Sequence, residues 1–378
     1  MKDNLSKKII VYFIVWFLFL NLINKLSFSF LTDSTSYELP KNIKLTHRFW
    51  TLPWLNFDGR NYLEIVSKGY SSVGQKIDLR VFFPLYPLLI KIFSLNLLFN
   101  PVLVGILISL FFFAASLYLF DRLLSQDKFM PNDRQKTILL LISFPTSFYF
   151  AAFYTESLFL FLTLLTFYFL NKNKFFFASI FTALATATRA TGFALIPSLL
   201  WQGYKHYRKT KKLPFSVFLS PLGYITYSFY LQFATGSSFS AVSAQKYWGR
   251  SIGINNIWIA LRDGFVRAVF RSKASISNNL IYSVEVLEFM AAVLLIFITI
   301  FGFKKTKFTY WLYLFFSGLI IFSTGVLGSL PRFLVVMFQI YIFSEKILSK
   351  KSYVVILFIN TLILIYLTSL FLRGYWVA

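Results

Sequence analysis

The chain has 378 residues, of which 57% are hydrophobic and 21% aromatic, and only 14% are charged. Because soluble domains carry about 25% charged residues, this composition excludes a soluble enzyme and predicts a multi-pass membrane protein. The sequence has no Gly/Ser linker, low-complexity tract or internal repeat, so we expect residues 1–378 to form a single domain. The absence of Cys excludes disulfides and thiolate chemistry, and two distant His residues argue against a histidine metal cluster. The formal net charge is +24, and the basic residues lie between the apolar segments. This distribution favours the lipid bilayer over nucleic acid as the partner of the chain.

The apolar segments predict an all-α polytopic bundle of about eleven transmembrane helices. The first segment, residues 9–31, exceeds the roughly 20 residues that cross a hydrocarbon core, and it lacks the cleavage site of a signal peptide. Residues 81–98, which have two prolines near their start, are just long enough to cross. The remaining segments lie near residues 101–120, 137–153, 155–170, 175–200, 213–234, 284–303, 309–328, 332–347 and 352–372.

Basic residues orient this predicted bundle, because cytoplasmic loops are enriched in Lys and Arg. Four short basic stretches lie at residues 2–8, 204–212, 304–307 and 345–351. Placing them in the cytoplasm leaves the long loops 32–80 and 236–282 outside, the first of them with interfacial helices. These outer loops are themselves basic, which indicates an anionic substrate on the extracytoplasmic face.

The first outer loop contains the stretch FDGRNYLEIVSKGY, residues 57–70. Its Asp58 follows aromatic residues typical of a membrane interface, where a carboxylate can act as a general base or bind a divalent cation. The alternative is an Asp-Gly turn that caps the next helix. We expect Glu64 to pair with Arg60 or Lys68 one helical turn away.

Two further charges are embedded in apolar segments. Glu156 lies between FYFAAFYT and SLFLFL, and an acid in such surroundings is a functional candidate, with a helix cap as the structural alternative. Arg189 lies in ATATRATGFALIP, where Thr188 and Thr191 offer hydrogen bonds and Gly192 permits close packing.

Arg250 and Arg332 lie on the outer side in this topology. Since Arg binds phosphate through two parallel hydrogen bonds, these two residues and Arg189 suit a phosphate-bearing lipid. Each one could instead anchor the chain at the headgroups, but the three together favour a ligand.

The order of these motifs resembles that of the PIG-V type of mannosyltransferase, the GPI mannosyltransferase 2-like enzymes, which have bacterial members. The resemblance covers residues 54–333. It rests on the ordered series FDGRNYLEIVSKGY, FFPLYPLLI, FPTSFYFAAFYTESLF, TRATGFALIP, AQKYWGR and PRF. The family usually has Trp before the Asp, where this chain has Phe57.

The resemblance implies a GT-C glycosyltransferase that transfers mannose, or a similar hexose, with inversion. The implied donor is a polyprenyl-phosphate sugar, and the acceptor is a hydroxyl of a glycan, glycolipid or protein. Asp58 and Glu156 would be the catalytic acids. The residues implied to bind donor phosphate or substrate are Arg189, Gln245, Trp248, Arg250, Arg332, Tyr62 and Tyr154.

The expected location is the bacterial plasma membrane, or the endoplasmic reticulum if the chain is eukaryotic, with an extracytoplasmic site. A divalent cation such as Mg²⁺ or Mn²⁺ is possible, but no Asp-x-Asp spacing supplies a second acid for it.

The rival function is a lipid or glycan transporter, which predicts charges spread through several spans. This chain has most of its candidate charges in the outer loops, which favours the enzyme.

Overall fold

A computed structural model describes residues 5–32, 34, 48–70, 78–270 and 276–377. Parts of both predicted outer loops therefore lie outside the described residues, as does Lys2 of the first basic stretch. Every regular element within the described residues is a helix, which confirms the predicted all-α class.

The helices differ greatly in length, from four to 27 residues. The first eight are α1 (Leu5–Phe30), α2 (Arg48–Thr51), α3 (Asp58–Lys68), α4 (Leu85–Phe93), α5 (Pro101–Gln126), α6 (Pro131–Ile142), α7 (Glu156–Asn171) and α8 (Phe175–Thr186). The others are α9 (Ile196–Thr210), α10 (Leu222–Thr235), α11 (Ser240–Ser243), α12 (Asn256–Phe270), α13 (Ile276–Gly302), α14 (Phe308–Phe322), α15 (Leu330–Val335), α16 (Gln339–Ile347) and α17 (Lys350–Leu372).

Four helices of the described ranges are long and apolar enough to cross a membrane, by length and composition alone. Their apolar portions are Lys7–Phe30, Pro101–Gln126, Ser283–Gly302 and Lys350–Leu372. The helices α7, α8 and α14 are apolar but shorter, at 16, 12 and 15 residues. These features support a helical membrane protein, whereas the count of about eleven spans stays a prediction.

Several predicted spans are interrupted in the structure. Segment 175–200 is divided between α8 and α9, because the backbone is extended at Arg189, with φ −156° and ψ 151°, and then forms a 3-10 helix over Ala190–Leu195. Segment 332–347 is likewise divided between α15 and α16. Interrupted helices occur in membranes where the backbone lines a cavity or is buried in protein.

The chain divides into two compact units. The first comprises Met1–Gly69, Leu85–Tyr168 and Ser344–Trp376, and in it α1 packs against α5 and α17. The indole of Trp16 lies 4.6 Å from the ring of Phe113, which stacks at 4.3 Å on Phe150. The buried ion pair between Asp121 and Arg134, with N and O 3.0 Å apart, joins α5 to α6.

The second unit comprises Tyr70–Pro84, Phe169–Phe343 and Val377–Ala378. Its α14 packs against α9 and against the 3-10 helix Ala190–Leu195 that precedes α9. In the same unit, α12 packs against α13. A hydrogen bond of 2.7 Å from the Ser198 hydroxyl to the Thr309 carbonyl links α9 to α14. This packing holds the Arg189 segment within the second unit.

Candidate functional site

The candidate acid Asp58 is the first residue of α3 in the first unit. Its backbone N–H donates to the Tyr154 hydroxyl over 3.1 Å, and that hydroxyl donates to the Asn56 carbonyl over 2.8 Å. Because Tyr154 is fully buried, these two hydrogen bonds fix the backbone around Asp58. Two of the predicted site residues, Asp58 and Tyr154, are therefore in direct contact.

The buried Asn56 side chain anchors the segment that precedes Asp58. Its Nδ2 donates to the Phe371 carbonyl over 2.8 Å, and its Oδ1 accepts a 2.9 Å hydrogen bond from Arg60. Arg60 thus has a structural partner in the same turn.

The expected pairing of Glu64 is confirmed with Lys68, whose Nζ lies 3.2 Å from Oε1. The Lys68 side chain is 60% exposed, so this pair is a solvated one that contributes little to stability. Of the three charges close to the start of α3, Asp58 is the one that remains a candidate for chemistry.

Phe57, which precedes Asp58, has a strained backbone. Its φ is 56° and its ψ is −117°, and a positive φ is unfavourable for a residue with a Cβ atom. Its ring is held by Phe371 and Trp376, with centroids 5.9 and 5.2 Å away. Phe57 occupies the N-cap position, so Asp58 lies in the first turn of α3 and is not the N-cap residue. Such strain is common next to functional residues.

Aromatic packing holds the segment that carries Tyr154. The N–H of Phe153 donates to the Trp54 carbonyl over 3.0 Å, and its ring centroid lies 5.7 Å from that of Tyr86. Gly105 of α5 lies against the same Phe153 ring. A Cβ atom at Gly105 would come within 2.2 Å of that ring, so this close approach requires glycine.

Tyr62, another predicted site residue, joins the same packed region. Its ring packs edge-on against Tyr86, with centroids 5.6 Å apart. The Tyr86 hydroxyl donates to the Gly105 carbonyl over 3.0 Å and lies 2.9 Å from the Ser109 hydroxyl, which bonds to the Tyr154 carbonyl at 3.3 Å. The region around α3 is thus rigid, with few ways to relax when a side chain changes.

Glu156 is the first residue of α7 and is 1% exposed. It lies two residues after Tyr154, whose hydroxyl accepts a hydrogen bond from the Asp58 backbone. The positive end of the helix dipole favours a carboxylate in the first turn, as the structural alternative predicts. A buried carboxylate can also serve in proton transfer, so its burial agrees with both roles.

Three predicted arginines come together in the second unit around the half-buried ring of Phe333. The guanidinium carbon lies 4.9 Å from the ring centroid for Arg189, 5.8 Å for Arg250 and 5.5 Å for Arg332. Arg189 and Arg332 are 8% and 7% exposed. Three guanidinium groups that approach one aromatic ring suit an anionic ligand such as a phosphate. We name these three side chains the arginine cluster.

Short loop contacts hold two members of the arginine cluster. Arg250 donates from Nη2 to the Gly328 carbonyl over 3.3 Å, and its own N–H bonds to the Gln245 carbonyl at 3.1 Å. The N–H of Arg332 bonds to the Ser329 carbonyl at 3.1 Å. Gln245 therefore positions Arg250 through its backbone carbonyl, while the substrate contact of its side chain stays a prediction.

Trp248, which belongs to the AQKYWGR motif, is held by a hydrogen bond and by a ring contact. Its indole N–H donates to the Asp78 carbonyl over 3.0 Å, and its ring packs edge-on against Phe82 at 5.3 Å. The Asp78 carboxylate accepts from the Arg80 guanidinium, and this hydrogen bond raises the pKa of Arg80. The FFPLYP and AQKYWGR motifs are thus in contact within the second unit.

Glu288 of α13 is a buried acid that the sequence analysis did not single out. It is 7% exposed, and its Oε1 accepts a 2.9 Å hydrogen bond from the N–H of Ser329. Ser329 has a left-handed φ of 68° and lies three residues before Arg332. Glu288 therefore holds the residue that precedes α15, the helix that contains Arg332. An acid within an apolar span was the signal that could have identified it, as it did Glu156.

The surroundings of Arg189 differ from the expected ones. The Thr188 hydroxyl donates to the Leu184 carbonyl over 2.8 Å, and the buried Thr191 hydroxyl has no hydrogen-bond partner among the described residues. The threonines therefore do not serve the guanidinium. Gly192 does permit close packing, because a Cβ atom there would lie 2.5 Å from the Ala185 carbonyl oxygen of α8.

A divalent cation finds little support in the part of the chain that the structure describes. Within it, no group of three or more His, Asp or Glu side chains is arranged to hold a metal ion.

Comparisons of this chain with protein-family models, with curated proteins and with solved structures found no match.

Proposed function

We propose that the chain is an integral membrane glycosyltransferase of the GT-C type, with about eleven spans and an extracytoplasmic site. It would move mannose, or a similar hexose, from a polyprenyl-phosphate donor to an acceptor hydroxyl. The observation that carries this proposal is the arginine cluster. Three motifs that are separated by up to 143 positions in sequence supply guanidinium groups to one Phe333 ring.

The cluster suits the leaving group of the proposed reaction. As the bond from the sugar's anomeric carbon to the phosphate oxygen breaks, the lipid phosphate gains negative charge. Guanidinium groups already fixed by Phe333 and by the Gly328 carbonyl would stabilise that charge with little rearrangement. Arg fits this task better than Lys because its planar fork makes two parallel hydrogen bonds to phosphate.

In the first unit, Asp58 is suited to the role of general base. The acceptor oxygen forms its bond to the anomeric carbon and passes its proton to the Asp58 carboxylate. The contact with Tyr154 and the strained Phe57 fix the start of α3, so the acid can be held without reorganisation. Attack from the face opposite the phosphate inverts the anomeric centre. The motif resemblance to the PIG-V type supports the same assignment of Asp58.

The rival proposal is a lipid or glycan transporter that uses the same charges and transfers no sugar. Glu156 separates the two functions, because an enzyme would use its carboxylate in proton transfer, whereas a transporter would use it along the path of the lipid. Gln would fill the same space and remain at the helix start, and a purely structural Glu156 would lose only the modest stabilisation that the helix dipole gives to a carboxylate.

Glu156→Gln is expected to lower the turnover number for transfer by at least about tenfold, with donor binding unchanged, since an amide cannot exchange a proton. The measurement is a steady-state transfer assay together with donor binding. Glu345→Gln is a matched control, because this acid of the first unit lies 3.8 Å from Lys136 and outside the proposed site. Altered lipid movement across liposomes, without transfer by the wild type, would support the transporter instead.

Loops 32–80 and 236–282 are both expected to be extracytoplasmic. The chain has no Cys, so single cysteines at Ser71 and Ser275, which lie outside the described residues, would be the only thiols present. An impermeant thiol reagent should label both in intact cells. It should not label a cysteine at Ser349, which lies in a basic stretch predicted to be cytoplasmic. Protection of either loop position, or labelling at Ser349, would contradict the topology.

A further inference from the structure

A second concentration of positive charge lies in the second unit, away from the arginine cluster in sequence. Three segments contribute to it: the turn after α7, the last part of α9 with the residues that follow, and the turn before α14. Together they supply ten exposed cations, which are Lys172, Lys174, Lys205, Arg208, Lys209, Lys211, Lys212, Lys304, Lys305 and Lys307. None of residues 171–175, 201–212 or 304–310 is Asp or Glu.

Hydrogen bonds bring the three segments together. Gln202 of α9 donates to the Asn173 side chain over 3.1 Å, which joins α9 to the turn after α7. Asn171 donates to the Tyr310 hydroxyl over 2.9 Å, which joins that turn to α14. The ten cations therefore belong to one continuous surface, which we name the basic surface.

Aromatic rings lie among the cations of the basic surface. Trp201 packs on Phe308 with centroids 4.8 Å apart and lies 5.3 Å from the Lys205 ammonium. Arg208 donates to the Tyr204 hydroxyl over 3.1 Å. Trp and Tyr prefer the headgroup layer of a bilayer, while Lys and Arg extend toward lipid phosphates. The pairing of these residue types fits a membrane interface.

The arrangement of charge favours an anionic partner. A cation cluster at a helix C-terminus is partly explained by the dipole of α9, whose last turn contains Arg208 and Lys209. The dipole does not explain Lys172 and Lys174 or the three lysines before α14, which come from other elements. Each basic residue near an anionic membrane surface adds to the attraction, so ten of them select strongly for anionic lipid.

We propose that the basic surface binds anionic phospholipids of the surrounding bilayer through their phosphates, and that this binding stabilises the second unit. The site is distinct from the arginine cluster, and the proposal does not depend on sugar transfer. The occupant is a structural lipid, whose phosphate is neither donor nor product.

The test compares two purified full-length variants that each lose three positive charges. The test variant is Lys209→Gln, Lys212→Gln and Lys304→Gln, all on the basic surface. The control variant is Lys25→Gln, Lys68→Gln and Lys91→Gln, three exposed lysines of the first unit that lie outside the four basic stretches. Native mass spectrometry counts bound phosphatidylglycerol against phosphatidylcholine, and thermal unfolding is followed in micelles that contain either lipid.

We expect wild type and control to retain phosphatidylglycerol selectively and to unfold at higher temperature with it. The test variant should bind it roughly fivefold more weakly for each lysine removed, and it should lose the thermal shift. Lys209→Arg, Lys212→Arg and Lys304→Arg together should bind as wild type does, which also gives a folded comparison if the Gln variant fails to fold. Equal binding by test and control variants would overturn the proposal. An equal thermal shift from inorganic phosphate alone would overturn the lipid as occupant.

Discussion

Asp58→Asn is expected to abolish sugar transfer, lowering turnover by about 100-fold to 10,000-fold, because general base catalysis contributes on that order. The amide keeps the size of the carboxylate but has no useful basicity. The hydrogen bond between the Asp58 backbone and Tyr154 does not involve the changed group, so the fold around α3 should persist. The measurement is the turnover number with a polyprenyl-phosphate sugar, beside thermal unfolding of the same preparation.

Glu64→Gln is the matched control for this change, because it removes a carboxylate from the same helix. Glu64 is paired with the exposed Lys68, and neither has a role in the proposed mechanism. Activity of this control should stay within about twofold of wild type, since surface ion pairs contribute little. Asp58→Asn activity within a few fold of wild type would remove Asp58 from the catalytic role.

Arg332→Lys and Arg250→Lys are expected to raise the KM for the donor by about tenfold to 100-fold each. A hydrogen bond to a charged group contributes roughly 1.5 to 3 kcal/mol, and an ammonium cannot reproduce both arms of the guanidinium fork. The largest effect is expected at Arg332, because it is buried to 7% exposure and lies 5.5 Å from the Phe333 ring. The measurement is donor affinity and KM for each variant.

Arg262→Lys is the control for the cluster substitutions. Arg262 lies in α12 of the same unit and pairs with the neighbouring Asp263 over 2.8 Å, with 58% of its side chain exposed. Its replacement should leave donor KM unchanged. If donor affinity is also unchanged in both cluster variants, Arg250 and Arg332 are anchors and the proposed phosphate site is wrong.

The sequence predicted the helical class and the positions of the longest helices, although several of their ends differ by four to eight residues. Segments 101–120 and 352–372 correspond to α5 and α17, because long uninterrupted apolar runs identify membrane helices by themselves. Segment 175–200 looked continuous for the same reason. The extended backbone at Arg189 and the close approach of Gly192 to α8 are features of the folded chain that hydropathy does not record.

The site residues were predictable in type but not in arrangement. Arg189, Arg250 and Arg332 were each identified as charges that suit phosphate, but their shared contact with Phe333 depends on folding distant segments together. Glu288 was missed because it was counted as part of an apolar span.

The sequence pattern also did not predict the backbone conformation at the start of α3. The Asp-Gly pair at residues 58–59 indicated a turn or cap, whereas the structure begins α3 at Asp58 and places the strained φ at Phe57. Packing against Phe371 and Trp376 holds that conformation, and both residues lie more than 300 positions away in the chain. Only the folded unit could reveal which residue carries the strain.

The central claim is that this chain transfers a hexose from a lipid phosphate, and its direct test is the fate of the donor. Purified full-length protein in nanodiscs is incubated with polyprenyl-phosphate mannose and a panel of hydroxyl acceptors, and both products are followed by mass spectrometry. We predict loss of the donor, release of polyprenyl phosphate and an acceptor heavier by one hexose, all absent with Asp58→Asn. An intact donor under these conditions, with the same lipid carried across liposome membranes by the wild-type chain, would contradict the enzyme.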